Sequence, residues 1–166
     1  VHPMLIPERH PLASVNDSFN AVFVHGDAVD DAMFYGRGAG ELPTASAVVG
    51  DIFDIARNLQ YECCGRISCT CYKQLPIKAM DDICSKYFLR MLVENEPGVL
   101  AAVTAVFGDR KVSIEQIIQK KKIGELAEIV VITEKVKERH VKDSLKAFEE
   151  MTAVKKVSSV IRVYGE

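Results

Sequence analysis

Tyr87-Phe88-Leu89-Arg90-Met91-Leu92-Val93-Glu94-Asn95-Glu96-Pro97-Gly98-Val99-Leu100 is the stretch that decides the fold. In its first eight residues Tyr87, Leu89, Met91 and Val93 alternate with Phe88, Arg90, Leu92 and Glu94, the period of two that marks a strand. Asn95-Glu96-Pro97-Gly98 interrupts the strand, and Val99, Leu100, Val103, Val106 and Phe107 then recur at the spacing of an amphipathic helix. Working outward, Gly108 and Asp109 loosen the end of that helix, and Val112, Ile114 and Ile118 mark a second strand. The polar run Lys120-Lys121-Lys122-Ile123-Gly124-Glu125 reads as a solvated loop before a third strand over 126–133. Val141, Leu145, Phe148 and Met151 give a second amphipathic helix, and 157–164 a final strand. This βαββαβ order predicts a ferredoxin-like α+β module, an antiparallel sheet with both helices on one face. Ile117, Val130 and Val160 are expected on the other face, and a bare apolar face or edge calls for another copy or domain to cover it.

The turn can hold a small ligand. Pro97 suits the first turn of a helix, where its missing N–H is no loss. Gly98 has no Cβ, so another group can approach the backbone there. The free N–H groups of the helix start can receive a carboxylate, and Asn95 offers both a donor and an acceptor. Together they make a seat for a free amino acid, although an ordinary helix start uses the same residue types.

Residues 1–60 carry short apolar strands, about 20–24 and 32–35, around a solvated turn with Asp27, Asp30 and Asp31. One long helix over about 44–58 is apolar on nearly every side, through Val48, Val49, Ile52, Phe53 and Ile55. Such a helix must be buried, and little else in residues 1–60 could bury it. Before it lies the glycine-rich turn Tyr35-Gly36-Arg37-Gly38-Ala39-Gly40-Glu41, which permits close approach of an anionic ligand to a helix start. It departs from the dinucleotide fingerprint, because no βαβ unit with a later ribose-binding acid surrounds it. Residues 61–85 form a weakly periodic connector containing Gly65 and Pro76.

Composition narrows the function classes. A net charge of −2 gives no electrostatic reason to expect nucleic acid or an anionic membrane as partner. RNA-recognition modules share the βαββαβ order but stack bases on strand aromatics, and 126–133 contains none. No apolar run approaches the roughly 20 residues that span a bilayer, and no signal peptide is visible, so a cytoplasmic protein is expected. The chain opens Val1-His2-Pro3 without an initiator methionine, which reads as a processed chain or a piece of something longer. Cys63, Cys64, Cys69, Cys71 and Cys84 lack the paired spacing of a zinc site and have no histidine near, so reduced thiols without a metal are expected. His2, His10, His25 and His140 are scattered and suggest no metal or general base.

Two resemblances organise these observations. Residues 86–166 resemble an ACT domain, on Glu94-Asn95-Glu96-Pro97-Gly98-Val99-Leu100 and Val112-Ser113-Ile114-Glu115-Gln116. That resemblance implies pairing side by side, with an amino-acid effector between the turn of one copy and the second strand of another. Asn95, Gly98, Val99 and Leu100 would form one wall, and Ser113, Ile114, Gln116 and Gln119 the opposing one. The block from Tyr35-Gly36 through Val49-Gly50-Asp51-Ile52, with Leu12-Ala13-Ser14-Val15-Asn16-Asp17-Ser18-Phe19-Asn20-Ala21-Val22, is similar to the end of the catalytic region of homoserine dehydrogenase. This implies a catalytic and dimerisation segment over 1–60, a linker over 61–85 and an ACT domain over 86–166.

The resemblance further implies an intact enzyme that interconverts L-homoserine and L-aspartate 4-semialdehyde with NADP or NAD, inhibited by L-threonine through the ACT module. Gly38, Ala39, Gly40 and Thr44 would neighbour the nicotinamide cofactor. The family's Rossmann domain and catalytic lysine are missing from this sequence, in which lysines begin only at Lys73. No catalytic residue is therefore assigned, no tight cofactor binding and no turnover are expected of this chain alone, and self-association through the sheets and residues 1–60 is expected. The alternative is a free-standing amino-acid-binding regulator.

Overall fold

The computed structural model describes residues 1–63 and 72–165. The run Cys64, Cys69 and Cys71 lies outside the described residues, while Cys63 and Cys84 are exposed. The elements run β1 (Met4–Leu5), β2 (Phe19–Gly26), β3 (Asp30–Arg37), α1 (Glu41–Gln60), β4 (Cys84–Glu94), α2 (Val99–Asp109), β5 (Ile114–Ile123), β6 (Leu126–Thr133), β7 (Val136–Lys137), α3 (Glu138–Glu150) and β8 (Val154–Val163). They divide into two compact units, one of Val1–Ile6 with Pro76–Glu166 and one of Pro7–Leu75. Residues 1–6 thus group with the C-terminal unit rather than with the segment that follows them.

The C-terminal unit is the expected βαββαβ module. Its sheet has the order β1-β8-β4-β6-β5, and β4 pairs antiparallel with both β6 and β8. The alternation in β4 buries Tyr87, Leu89, Met91 and Val93 beneath the helices, against Ala127, Ile129 and Val131 of β6. Val103 and Phe107 of α2 meet Val141 and Phe148 of α3 over this layer, with the two phenyl rings edge to face at 5.0 Å. Two buried hydroxyls are satisfied: Thr133 Oγ1 accepts the Tyr87 N–H at 3.0 Å, and Ser144 donates to the His140 carbonyl at 2.8 Å.

Three expectations need correction. The lysine run 120–122 is not a loop: β5 continues to Ile123, and the chain reverses over Gly124-Glu125, with Gly124 at φ +63°. An edge strand accommodates lysines, which deter pairing with other chains, so charge alone was a poor loop signal. Ile117 pairs with Val131 and Val160 with Leu89, so both share the helix side, and only Val130 lies on the far face with Arg90 and Ile118. Register shifts within β5–β6 and β4–β8 change the phase of the side chains, which a strict period of two does not anticipate. The last strand also begins earlier, at Val154.

A polar cluster sits where β4, β8 and α3 meet. Tyr87 donates its hydroxyl to Glu138 Oε2 at 2.5 Å, and Arg162 donates Nη2 to the same oxygen at 2.5 Å. Burial, with the Glu138 hydrogen bond, pushes the Tyr87 phenol up to about 12. Burial pushes the Glu138 carboxyl up too, but the bonds from Tyr87 and Arg162 outweigh it and hold the group below its ordinary value. A carboxyl depressed in the folded state contributes stability that is complete above its unfolded value and is lost as pH falls through its folded one. Acidification from pH 7 to pH 3 is therefore expected to destabilise this unit more in the wild type than in Glu138→Gln, read as the thermal midpoint at each pH.

In the other unit β2 and β3 form a hairpin in register from Phe19–Arg37 to Gly26–Asp30. Phe19 stacks on Tyr35 at 4.8 Å, and the Arg37 guanidinium lies 4.8 Å from the Phe19 ring centre. Helix α1 runs longer than expected and has no buried residue; Val48, Ile52, Phe53, Ile55 and Leu59 are all exposed. Among the described residues no helix is long and apolar enough to cross a membrane.

Candidate functional site

Each unit carries one candidate site. In the C-terminal unit β4 delivers the chain to the turn at residues 95–98. The Glu94 N–H donates to the Ala153 carbonyl at 2.9 Å, and the Asn95 N–H to the Glu125 carbonyl at 3.1 Å, so the turn is anchored on two sides. Helix α2 begins at Val99, with Gly98 as its cap at φ +88° and ψ −16°. Pro97 therefore closes the turn one residue before the cap and is not itself helical. Glycine is required for the left-handed backbone. A Cβ placed there would meet nothing within 4 Å, so the space over the turn is open.

No side chain caps α2, and the Leu100 and Ala101 N–H groups take no partner among the described residues. Unsatisfied donors at a helix start favour a carboxylate. Gln119 Nε2 donates to Asn95 Oδ1 at 3.1 Å, which fixes the Asn95 amide with its own donor turned away. Beneath these residues a cavity of about 40 Å³ is lined by Val93, Asn95, Val99, Leu100 and Gln119. It has room for about one water and not for an amino acid, so a complete seat needs a second wall. Beside it an open groove of about 590 Å³ is lined by Glu94, Asn95, Glu96, Glu125, Leu126 and Lys155, and Lys155 pairs with Glu94 at 2.5 Å.

The structure brings Asn95, Gly98, Val99, Leu100 and Gln119 together within one chain. Ser113, Ile114 and Gln116 do not join them. Ile114 lies opposite Thr133 and Gln116 opposite Ile132, whereas the turn follows Glu94, opposite Leu126, so they stand about 20 Å away along the sheet. The Ser113 carbonyl accepts the Glu134 N–H at 2.9 Å, Ile114 packs on the core, and Gln116 is exposed on the edge strand. Sequence reasoning missed Glu94, Glu96, Glu125 and Lys155. The first two flank Asn95 and were visible there, while Lys155 arrives only through the pairing of β8 with β4.

In the other unit Gly38, Ala39, Gly40 and Thr44 gather at the start of α1. The Gly38 N–H donates to the Ser18 carbonyl at 3.0 Å, and the Thr44 N–H to the Gly40 carbonyl at 3.1 Å. Gly40 caps the helix at φ +133° and ψ 146°, a conformation essentially confined to glycine. A Cβ on Gly38 would lie 1.9 Å from Asn20 Nδ2, so there the missing side chain makes room for Asn20. His25 Nδ1 lies 2.8 Å from Asp31 Oδ1 and 3.5 Å from Asp30 Oδ1, an exposed grouping that the scattered histidines did not suggest. Asp30 and Asp31 accordingly start β3 instead of lying in the turn.

Comparison with known proteins finds two families along the chain. The homoserine dehydrogenase family profile matches residues 1–53, and the ACT domain profile matches residues 87–152. The chain is 42% identical to a homoserine dehydrogenase of Neisseria gonorrhoeae, over 98% of this chain and 39% of that protein. It is 40% identical to one of Bacillus subtilis, over 99% of this chain and 39% of that protein. A crystal structure of a homoserine dehydrogenase from Thiobacillus denitrificans superposes with a TM-score of 0.86 at 36% identity, over 98% of this chain and 38% of the other. The chain thus spans about two fifths of the length of the relatives it matches.

Proposed function

Because the chain corresponds to the C-terminal portion of homoserine dehydrogenases and ends in an ACT domain, we propose that it is the regulatory part of such an enzyme. In this reading the intact protein interconverts L-homoserine and L-aspartate 4-semialdehyde with NADP or NAD, and the ACT unit binds L-threonine as feedback inhibitor. The observation that carries the sensing role is the turn at residues 95–98. There Gly98 leaves open space at the turn, the Leu100 and Ala101 N–H groups take no partner among the described residues, and the Asn95 amide is held by Gln119. The effector carboxylate would rest on those N–H groups, and its ammonium would face Glu94, Glu96 and Glu125.

The second wall would come from another copy. Strand β5 is an open edge of the sheet, and pairing of two such edges would bring Ser113, Ile114 and Gln116 of one copy towards the turn of the other. The exposed apolar side chains of α1 give a further surface for self-association or for the rest of the enzyme.

Nicotinamide cofactor chemistry is hydride transfer, which the cofactor supplies when bound. The residues here fit the edge of such a site: Gly40 keeps the start of α1 free of a Cβ, and the turn presents backbone N–H groups. Gly38, Ala39, Gly40 and Thr44 would bound the cofactor without holding it tightly, and no catalytic residue is assigned to this chain. The protein is expected to work in the cytoplasm.

Calorimetric titration of the 166-residue chain with L-threonine, L-isoleucine, L-methionine and L-lysine tests the sensing role. Saturable heat for threonine is expected, and silence for all four would overturn it. Light scattering on the same sample should give a dimer, whereas a monomer that still binds threonine would remove the second wall. NADPH oxidation with aspartate semialdehyde is expected to be absent; measurable turnover would contradict the incomplete site.

A further inference from the structure

The chain passes into the Pro7–Leu75 unit after β1 and returns from it into β4. The unit's first residue follows β1, which pairs only with the end of β8, Met4 with Arg162 and Leu5 with Val163. Its last residue leads through a short turn at Met80–Asp82 into β4, whose Lys86 and Tyr87 lie opposite the same Val163 and Arg162. The turn at residues 95–98 lies beyond the other end of these strands, where Val93 faces Val154. Strands β4 and β8 therefore run about 20 Å from the effector turn to both tethers.

The first tether is short by construction. The Leu5 carbonyl accepts the Tyr164 N–H at 2.8 Å, so Leu5 is the β1 residue whose backbone faces β8. Residues two before and two after it would face β8 as well, and these are Pro3 and Pro7, which have no N–H to give. The strand can neither lengthen nor slip to a longer register. Two pairs hold it, and Met4 and Leu5 are both exposed.

The second tether is held more firmly. Asp82 pairs with Lys137 at 3.3 Å and with Arg139, and Asp81 pairs with Lys142 at 2.7 Å, so α3 and its approach grip the turn before β4. The Glu138 N–H donates to the Ile83 carbonyl at 2.9 Å. The side chain of Glu138 then joins this tether to the first, because its carboxylate holds both Tyr87 of β4 and Arg162 of β8, the residue beside Met4.

We propose that β1 is a detachable strap, kept on the ACT sheet by the Tyr87–Glu138–Arg162 cluster, whose docking or release carries effector occupancy to the inserted unit. The strap and its clamp follow from the geometry above; the dependence on effector rests on the reading of the turn as an effector site. With the strap docked the ACT unit holds the inserted unit at both ends. With it released only the Met80–Asp82 side remains. A two-pair strand between prolines is a weak attachment, which suits it to switching.

Hydrogen exchange of the 166-residue chain, followed by mass spectrometry, tests this. In Glu138→Gln, exchange of the peptides holding Leu5 and Tyr164 should rise about tenfold while β4 and β6 stay protected, the scale expected for loss of a charge-assisted hydrogen bond. Should that variant lose protection everywhere, Tyr87→Phe removes one bond from the cluster and should raise exchange at the same two peptides by a smaller factor. Unchanged exchange there in both variants would overturn the clamp. In the wild type, saturating L-threonine should change exchange at Leu5 and Tyr164 by at least about threefold. Threonine that binds by calorimetry without moving these peptides would overturn the coupling; absence of binding would overturn the effector reading, and the variants would still decide the strap.

Discussion

Replacing Phe107 with alanine is expected to destabilise the ACT unit by about 3–5 kcal/mol, the range for removing a buried aromatic side chain. Phe107 is fully buried, and its ring meets Phe148 edge to face at 5.0 Å between the two helices. Among the described residues the core around this ring pair is otherwise mostly smaller aliphatic groups, so filling the space calls for movement of a helix. Domains of this size are stable by only about 5–15 kcal/mol, so the loss is a large share of the total. Urea unfolding followed by circular dichroism reads it directly. Phe34→Ala provides the contrast, since Phe34 is 68% exposed on the hairpin and its loss should change stability by less than about 0.5 kcal/mol. Equal effects from the two substitutions would show that the packing between α2 and α3 is not what holds the unit.

Gly98→Val is expected to abolish threonine binding while leaving the chain folded. At φ +88° a β-branched residue is strained, at a cost of about 1–2 kcal/mol. No steric clash adds to it, because the Cβ would point into open space. The effector carboxylate is proposed to enter through that open space to reach the Leu100 and Ala101 N–H groups, so the valine methyls would obstruct it. Gly98→Asn separates the two effects, because asparagine tolerates the left-handed conformation yet still fills the site. Calorimetry should show no threonine heat for either variant, with the α-helical signal retained. Binding within threefold of wild type in the asparagine variant would move the effector away from this turn.

The sequence was most informative where side chains alternate against a continuous core. The strand from Leu126 to Thr133 has the expected limits, because each of its inward residues meets β4 and the helices. Limits blurred where the pattern was interrupted. The lysines at 120–122 masked four residues of edge strand, and register shifts turned Ile117 inward against expectation. Strands of two residues, β1 and β7, have no period to detect and exist only because β8 and the start of β4 provide partners.

The candidate site divided in the same way. Asn95, Gly98, Val99 and Leu100 are local, so their grouping was legible from the turn itself. The bond from Gln119 to Asn95 within one chain depends on the strand order β4-β6-β5, and Lys155 on the register of β8, neither of which spacing can give. Helix α1 shows the reverse: its all-round apolar sequence called for burial, and within this chain Ile52, Phe53 and Leu59 are exposed.

Strand β1 also decides where the ACT unit can be cut from this chain. A graft cut from Pro76 onward would leave β1 behind and bare the end of β8 at Arg162 and Val163, an open edge that invites pairing with other chains. The ACT unit is better treated as a host. A foreign domain could replace residues 7–75, entering after Ile6 and leaving at Pro76, without removing a strand of the ACT sheet. The ACT unit is thus discontinuous in sequence, and whatever occupies residues 7–75 interrupts it without supplying any of its strands.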